Sequence, residues 1–113
     1  MEKTMFDYFY SNEIEQYPSL QIPMILIKHE HFKTLSSGSK ILYSLLLDRT
    51  SLSIKNNWKD EFGKVYIIYP IEEIMSNLNC SEKKAIKFMK ELEDIGLVKT
   101  INNHFYLSYL KTE

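Results

Sequence analysis

Cysteine, glycine and proline are all scarce in this 113-residue chain, which has one Cys, three Gly and three Pro. A lone cysteine, Cys80, excludes an intrachain disulfide framework and a four-cysteine zinc site, and it suits a reducing interior. So few glycines and prolines exclude collagen-like and low-complexity structure. Long apolar runs are missing as well. Met24 to Ile27 and Val65 to Tyr69 are the longest, far short of the roughly 20 residues that span a bilayer. The N-terminus, MEKTMFDYFY, carries Glu2 and Asp7 and has no apolar stretch of signal-peptide length. The expectation is a cytoplasmic protein with no membrane contact. Excess charge is lacking too, since the formal net charge is −1. The whole chain therefore does not look like a nucleic-acid binder, and any basic surface must be local.

What is present is the material of a core. A composition of 44% hydrophobic and 26% charged residues fits one globular domain. A chain of this length buries roughly two-thirds of its unfolded surface.

Residues 1–19 are aromatic and acidic, with Phe6, Tyr8, Phe9, Tyr10 and Tyr17 around Asp7, Glu13 and Glu15. They show no clean period. Leu20 to Ile27 alternates in part and is broken at Pro23; a missing ladder donor limits it to an edge strand. Residues 1–35 are thus expected to form an arm and an edge strand, packing on the domain or on a second copy. Residues 36–113 form the domain proper. Ser36 or Ser37 can cap a helix running to about Leu52, on which Leu42, Leu45, Leu46 and Leu52 recur at helical spacing.

Asp60 to Gly63 reads as a tight turn and Val65 to Tyr69 as a short apolar strand. Ile71, Ile74, Met75 and Leu78 make an amphipathic stripe on a second helix that begins after Pro70 and ends at Asn79. Ser81 caps a third helix, whose core stripe is Ala85, Phe88, Met89, Leu92 and Ile95 and whose stop is Gly96. Leu97 to Ile101 and His104 to Leu110 then read as two strands about an Asn102-Asn103 hairpin turn. Helix, turn, helix and hairpin in that order predict an α+β fold, a winged helix-turn-helix with an N-terminal arm and a short wing.

The helix after Ser81 carries the functional signal. With its apolar stripe inward, the opposite face presents Lys83, Lys87 and Lys90, with Lys84 beside them. Residues 81–90 hold four lysines against one glutamate, a local charge of +3. Glu91, Glu93 and Asp94 follow in the last turns. Both placements oppose the helix dipole, at about a few tenths of a kcal/mol for each residue. A phosphate backbone at the N-terminal half would make the lysines favourable and would also use the free amides. Lysine faces are most often solvated surface; the helix-turn-helix setting and the hairpin favour double-stranded DNA here. The candidate contacts are Ser81, Lys83, Lys84, Lys87, Lys90 and, on the wing, Lys99. Phosphate is the default partner of a lysine, although a lysine can also read guanine.

Competing readings are weaker. His29 and His31 lie on one side of an extended segment without an evident third metal ligand. Cys80 is better read as a small turn residue than as a redox sensor. Tyr43, Tyr66 and Tyr69 suit a core. No nucleophile, base and orienting group can be assembled, and no glycine-rich phosphate loop exists, so neither an enzyme nor a cofactor is expected. A protein-interaction or dimerisation module shares the fold, as does a transcriptional regulator.

Several stretches point further. Leu45-Leu46-Leu47-Asp48-Arg49, Ser51-Leu52-Ser53, Lys55-Asn56, Trp58, Asp60-Glu61, Gly63, Val65 to Tyr69, Glu72 to Met75 and Lys83 to Leu97 resemble the N-terminal domain of RepA-type plasmid replication initiators of Gram-positive bacteria. The arm residues Phe6 to Tyr10 fit as well. The resemblance implies a winged helix that binds repeated sites in a plasmid origin as a homodimer. Members of that family carry a second, C-terminal domain resembling a primosomal protein, which contacts host replication proteins. This sequence lacks it, so the chain reads as an excised domain, a truncated product or a stand-alone relative. It departs from the family pattern at the wing, whose tip Asn102-Asn103 is short and uncharged, with Lys99 its only nearby base. A second departure is Pro70, which stands where a capping residue is usual.

Overall fold

A computed structural model of the chain describes Tyr8 and residues 18–108. Helix α1 spans Met24–Lys28, and a 3-10 turn covers Glu30–Phe32. The long helix α2, Ser37–Lys55, is followed by α3, Ile71–Leu78, and α4, Glu82–Asp94. Strands β1, Val98–Ile101, and β2, His104–Leu107, close the fold as an antiparallel hairpin.

Helix α2 begins where Ser36 caps it, the Ser36 side chain accepting from the Ser39 amide. That bond satisfies one of the amides a helix start leaves unpaired. Leu42, Tyr43 and Leu46 form its buried row, and α3 and α4 both pack on it. Leu26, Phe32 and Leu35 join the same core together with Ile67, Tyr69, Ile74, Ala85, Met89, Leu92, Leu97 and Val98. Residues 24–35 are therefore built into the hydrophobic centre. The Tyr43 hydroxyl crosses this core to donate to the Ser108 carbonyl at 3.1 Å, and burial pushes its pKa up. The arm proper, residues 1–17 apart from Tyr8, lies outside the described residues.

The edge strand expected over residues 20–27 is not formed. Met24 to Lys28 wind into a single helical turn instead. Pro23 explains the difference. Its φ of −55° already matches a helix start, where a missing amide hydrogen costs nothing. Its carbonyl accepts from the Leu26 amide at 3.0 Å. One turn buries Leu26 completely, as a strand would, without needing a sheet partner.

The strand expected over Val65 to Tyr69 is likewise reduced to an extended segment with two isolated bridges, Lys59 to Val65 and Ile67 to Phe105. Ile67 and Phe105 exchange both amide bonds, at 2.8 and 3.0 Å. Pairing stops there because the segment is bounded by the Asp60–Gly63 turn on one side and by helix α3, starting at Ile71, on the other. Ile67 and Tyr69 are buried while Ile68 is exposed, so the all-apolar run alternates in space. At the C-terminal end, β2 stops at Leu107, short of the Leu110 expected; residues 109–113 lie outside the described residues.

The Asp60–Gly63 turn also braces the wing. Asp60 Oδ1 accepts from the Phe62 and Lys64 amides, both at 2.9 Å, and Oδ2 accepts from the Tyr106 hydroxyl at 3.3 Å. The Lys64 amide foremost, then the Phe62 amide, the Tyr106 hydroxyl and the Lys64 charge, outweigh desolvation and hold the Asp60 carboxyl below its ordinary range. Tyr66 stacks on His104 at 4.1 Å between ring centroids, so this tyrosine is half-buried against the wing instead of sitting in the core. Gly63 has the positive φ of +82° that the turn requires.

Helix α3 is held to α2 by Arg49, which donates to Glu73 and, at 3.4 Å, to the Ile68 carbonyl. The guanidinium also lies 3.9 Å from the Tyr69 ring centroid. Arg49→Lys is expected to lower stability by about 1 kcal/mol. A lysine keeps the charge but loses the planar fork and the stacking, and the partly exposed ion pair itself adds little. Urea denaturation checks this as a lower midpoint with an unchanged slope.

Candidate nucleic-acid interface

Helices α3 and α4 are joined by a three-residue turn, Asn79-Cys80-Ser81. Asn79 takes the left-handed conformation, with φ 50° and ψ 54°, and reverses the chain. Ser81 then caps α4, its hydroxyl accepting from the Lys84 amide at 3.2 Å. Ala85, Met89 and Leu92 form the buried row of α4. Lys83, Lys87 and Lys90, at i, i+4 and i+7, lie on the face opposite that row and are exposed. Among the described residues, no ion pair engages Lys83, Lys84 or Lys87. Lys90 lies 3.8 Å from Asp94 in a fully solvated pair, of a kind worth little.

Lys84 is set apart from that row. It stands one turn before Phe88 and two before Glu91, on the flank of α4 that faces the start of α2. The contact on this flank is close. A Cβ at Gly38 would fall 2.3 Å from the tip of the Phe88 ring, so glycine is what lets the ring lie over the first turn of α2. Ser81 is exposed at the helix start. Lys99 is exposed on β1, paired with Tyr106 across the hairpin. The turn residues Asn102 and Asn103 both have positive φ, 50° and 65°, as a two-residue primed turn requires. The lysines of α4 and the wing lysine thus come from two elements, and no described contact links them.

Glu91 has a role that its own helix does not reveal. Its carboxylate accepts from the Ser36 amide at 2.8 Å, from the Ser36 hydroxyl at 3.2 Å and from the Ser39 hydroxyl at 2.6 Å. It therefore caps the N-terminus of α2, where negative charge is favourable. Partial desolvation raises its carboxyl, but the bonds from Ser36 and Ser39 and the Lys87 charge together outweigh this and hold it below the ordinary value. The acidic end of α4, unfavourable for α4 alone, is in this residue explained by α2. The sequence signal was available in the Ser36-x-x-Ser39 cap, yet nothing in the order of residues says which carboxylate meets it.

His29 accepts from the His31 amide at 3.1 Å, which occupies one of its ring nitrogens. Among the described residues, no helix is long and apolar enough to cross a membrane.

Two helices joined by a tight turn, with free lysines on the second and an antiparallel hairpin behind it, define a winged helix-turn-helix domain. The chain belongs to the family of replication initiator protein A (RepA) N-termini, which it matches over residues 19–109. A solved structure described as that of an MDR initiator is 36% identical and superposes with a TM-score of 0.77, covering 95% of this chain and 89% of the other. Another, described as a Rep–DNA complex, is 38% identical with a TM-score of 0.73, covering 95% and 86%. A 41 kDa protein of Lactobacillus helveticus is 26% identical over 85 residues, which is 75% of this chain. The chain spans 24% of that relative's length.

Proposed function

We propose that this initiator domain binds double-stranded DNA at repeated sites of a plasmid replication origin, as a homodimer, with α4 in the major groove. The observation that carries the reading is the exposed row Lys83, Lys87 and Lys90, opposite a fully buried row on a helix that begins at a capped, open N-terminus. The similar chain described in complex with DNA supports it. Lys83 and Lys87 approach the groove from the first two turns. Lys84 and Lys90 reach phosphates on either margin. Ser81 donates to a phosphate beside the cap, and Lys99 adds a contact from the wing. The domain carries out no catalysis in this reading, and contacts with host replication proteins belong to a further domain.

Binding is expected to depend steeply on salt. Neutralising about four phosphates gives a slope of about −3.6 in log K against log salt, from roughly 0.9 per contact. Fluorescence anisotropy on a labelled duplex between low and physiological salt measures it. A flat line would remove the electrostatic basis of the proposal. Selection from random duplex DNA then separates an origin from an operator, since direct repeats indicate the former and inverted repeats the latter.

A protein-interaction module is the second reading. It is favoured by an apolar groove of about 880 Å³ bordered by Pro23, Met24, Tyr43, Leu47, Ile54 and Val65. Deleting residues 1–19 discriminates between the two. Loss of self-association with DNA contact retained makes the arm a dimer element. An intact dimer that fails to bind duplex at low salt favours the interaction reading.

A further inference from the structure

We infer that Ile86 reads thymine, its side chain meeting 5-methyl groups in the major groove and supplying sequence preference that the lysines do not. The inference rests on the proposal that α4 enters that groove. Lysines on phosphates position a protein without distinguishing sequences. Ile86 stands among them, one turn after Lys83, one turn before Lys90 and next to Lys87. It is 53% exposed, whereas Ala85, Met89 and Leu92 of the same helix are buried.

A single exposed isoleucine ordinarily calls for no explanation. This one interrupts a basic face in the N-terminal half of the helix, the part of a reading helix that meets base edges. Its inner side borders a shallow crevice with Tyr69, Ile71, Thr100 and Phe105. Those neighbours, and the restricted χ1 of a β-branched residue, hold the outer methyl groups in one orientation. Ordering the side chain on binding therefore costs little entropy. In the major groove, the one apolar group that a base pair presents is the thymine methyl. Buried against Ile86, each such methyl is worth about fourfold in affinity, the equivalent of one methyl group removed from water.

The test uses a duplex that the whole chain itself selects from a random pool. It is compared with the same duplex in which every thymine is replaced by uracil, a change that removes only the methyl. The wild-type protein is expected to bind the uracil duplex about 4- to 15-fold more weakly, for one or two contacted methyls. Ile86→Ala is expected to bind both duplexes equally within about twofold, and Ile86→Val to keep part of the preference. Because the side chain is half exposed, both variants fold, and circular dichroism verifies this. Equal binding of the two duplexes by the wild type overturns the inference, and so does an undiminished preference in Ile86→Ala. The underlying reading fails separately: if Lys83→Ala and Lys87→Ala leave binding unchanged, α4 is not the reading helix. If they weaken binding while uracil has no effect on the wild type, only the role of Ile86 is lost.

Discussion

Alanine at Lys83, Lys84 and Lys87 together is expected to abolish specific binding to repeated origin DNA. The loss is on the order of 10³-fold, down to the level of weak non-specific contact. Three charges leave the face of α4, so the salt slope should fall from about −3.6 to about −0.9. Folding should not suffer. All three side chains are exposed, and none makes an ion pair among the described residues. Removing positive charge from a helix N-terminus is mildly stabilising. Circular dichroism should therefore stay native and the melting temperature should hold or rise slightly. Undiminished binding by the triple variant would sink the assignment of α4. Single variants refine the picture. Lys83→Ala and Lys87→Ala should cost more than Lys84→Ala, because Lys84 sits on the flank toward α2, with Phe88 and Glu91.

Glu91→Gln should have the largest effect on stability. One carboxylate satisfies the Ser36 amide, the Ser36 hydroxyl and the Ser39 hydroxyl, and it ties α4 to the start of α2. Hydrogen bonds to a charged group contribute about 1.5–3 kcal/mol; the amide of glutamine keeps one acceptor and loses the charge. A loss of about 2 kcal/mol is expected, which lowers the melting temperature by roughly 10 °C in a domain of this size. The pH dependence has a definite sign. The folded carboxyl is held below the ordinary value of 4.5, so its contribution is fully present above that value. It is lost as pH falls through the lower, folded value. Thermal melts from pH 7 down into that acid range should show the wild type losing this increment while Glu91→Gln does not. Parallel acid profiles for the two proteins would contradict the capping role.

Legibility in the sequence followed the range of the interaction. The caps at Ser36 and Ser81, the left-handed Asn79, the hairpin turn Asn102-Asn103 and the stripes of α3 and α4 all appear where the residues place them. Each depends on neighbours within about four positions. Leu20 to Ile27 and Val65 to Tyr69 were read less well, because short apolar runs fit a strand or a helical turn equally. For the first, Pro23 and the absence of a sheet partner decided the matter. For the second, the single residue pair Ile67 and Phe105 limited the pairing. The family resemblance drew attention to the lysines. It said nothing of Ile86, although an isolated isoleucine between Lys84 and Lys87 is visible in the sequence once helical phase is assigned.

The sequence by itself determined where the helices begin and end, that Lys83, Lys87 and Lys90 share a face, and that the face lies opposite an apolar row. These follow from a 3.6-residue period and from local hydrogen bonds, which need no distant partner. Tertiary structure decided which flank of α4 meets α2. Phe88 over Gly38 and Glu91 on Ser36 and Ser39 set the rotation of the helix, and with it the separation of Lys84 from the outer row. It also decided that Arg49 would hold α3 and that Asp60 would hold the wing. Those contacts join residues 24 to 55 positions apart in the chain, and only packing of the whole core brings such groups within hydrogen-bond distance.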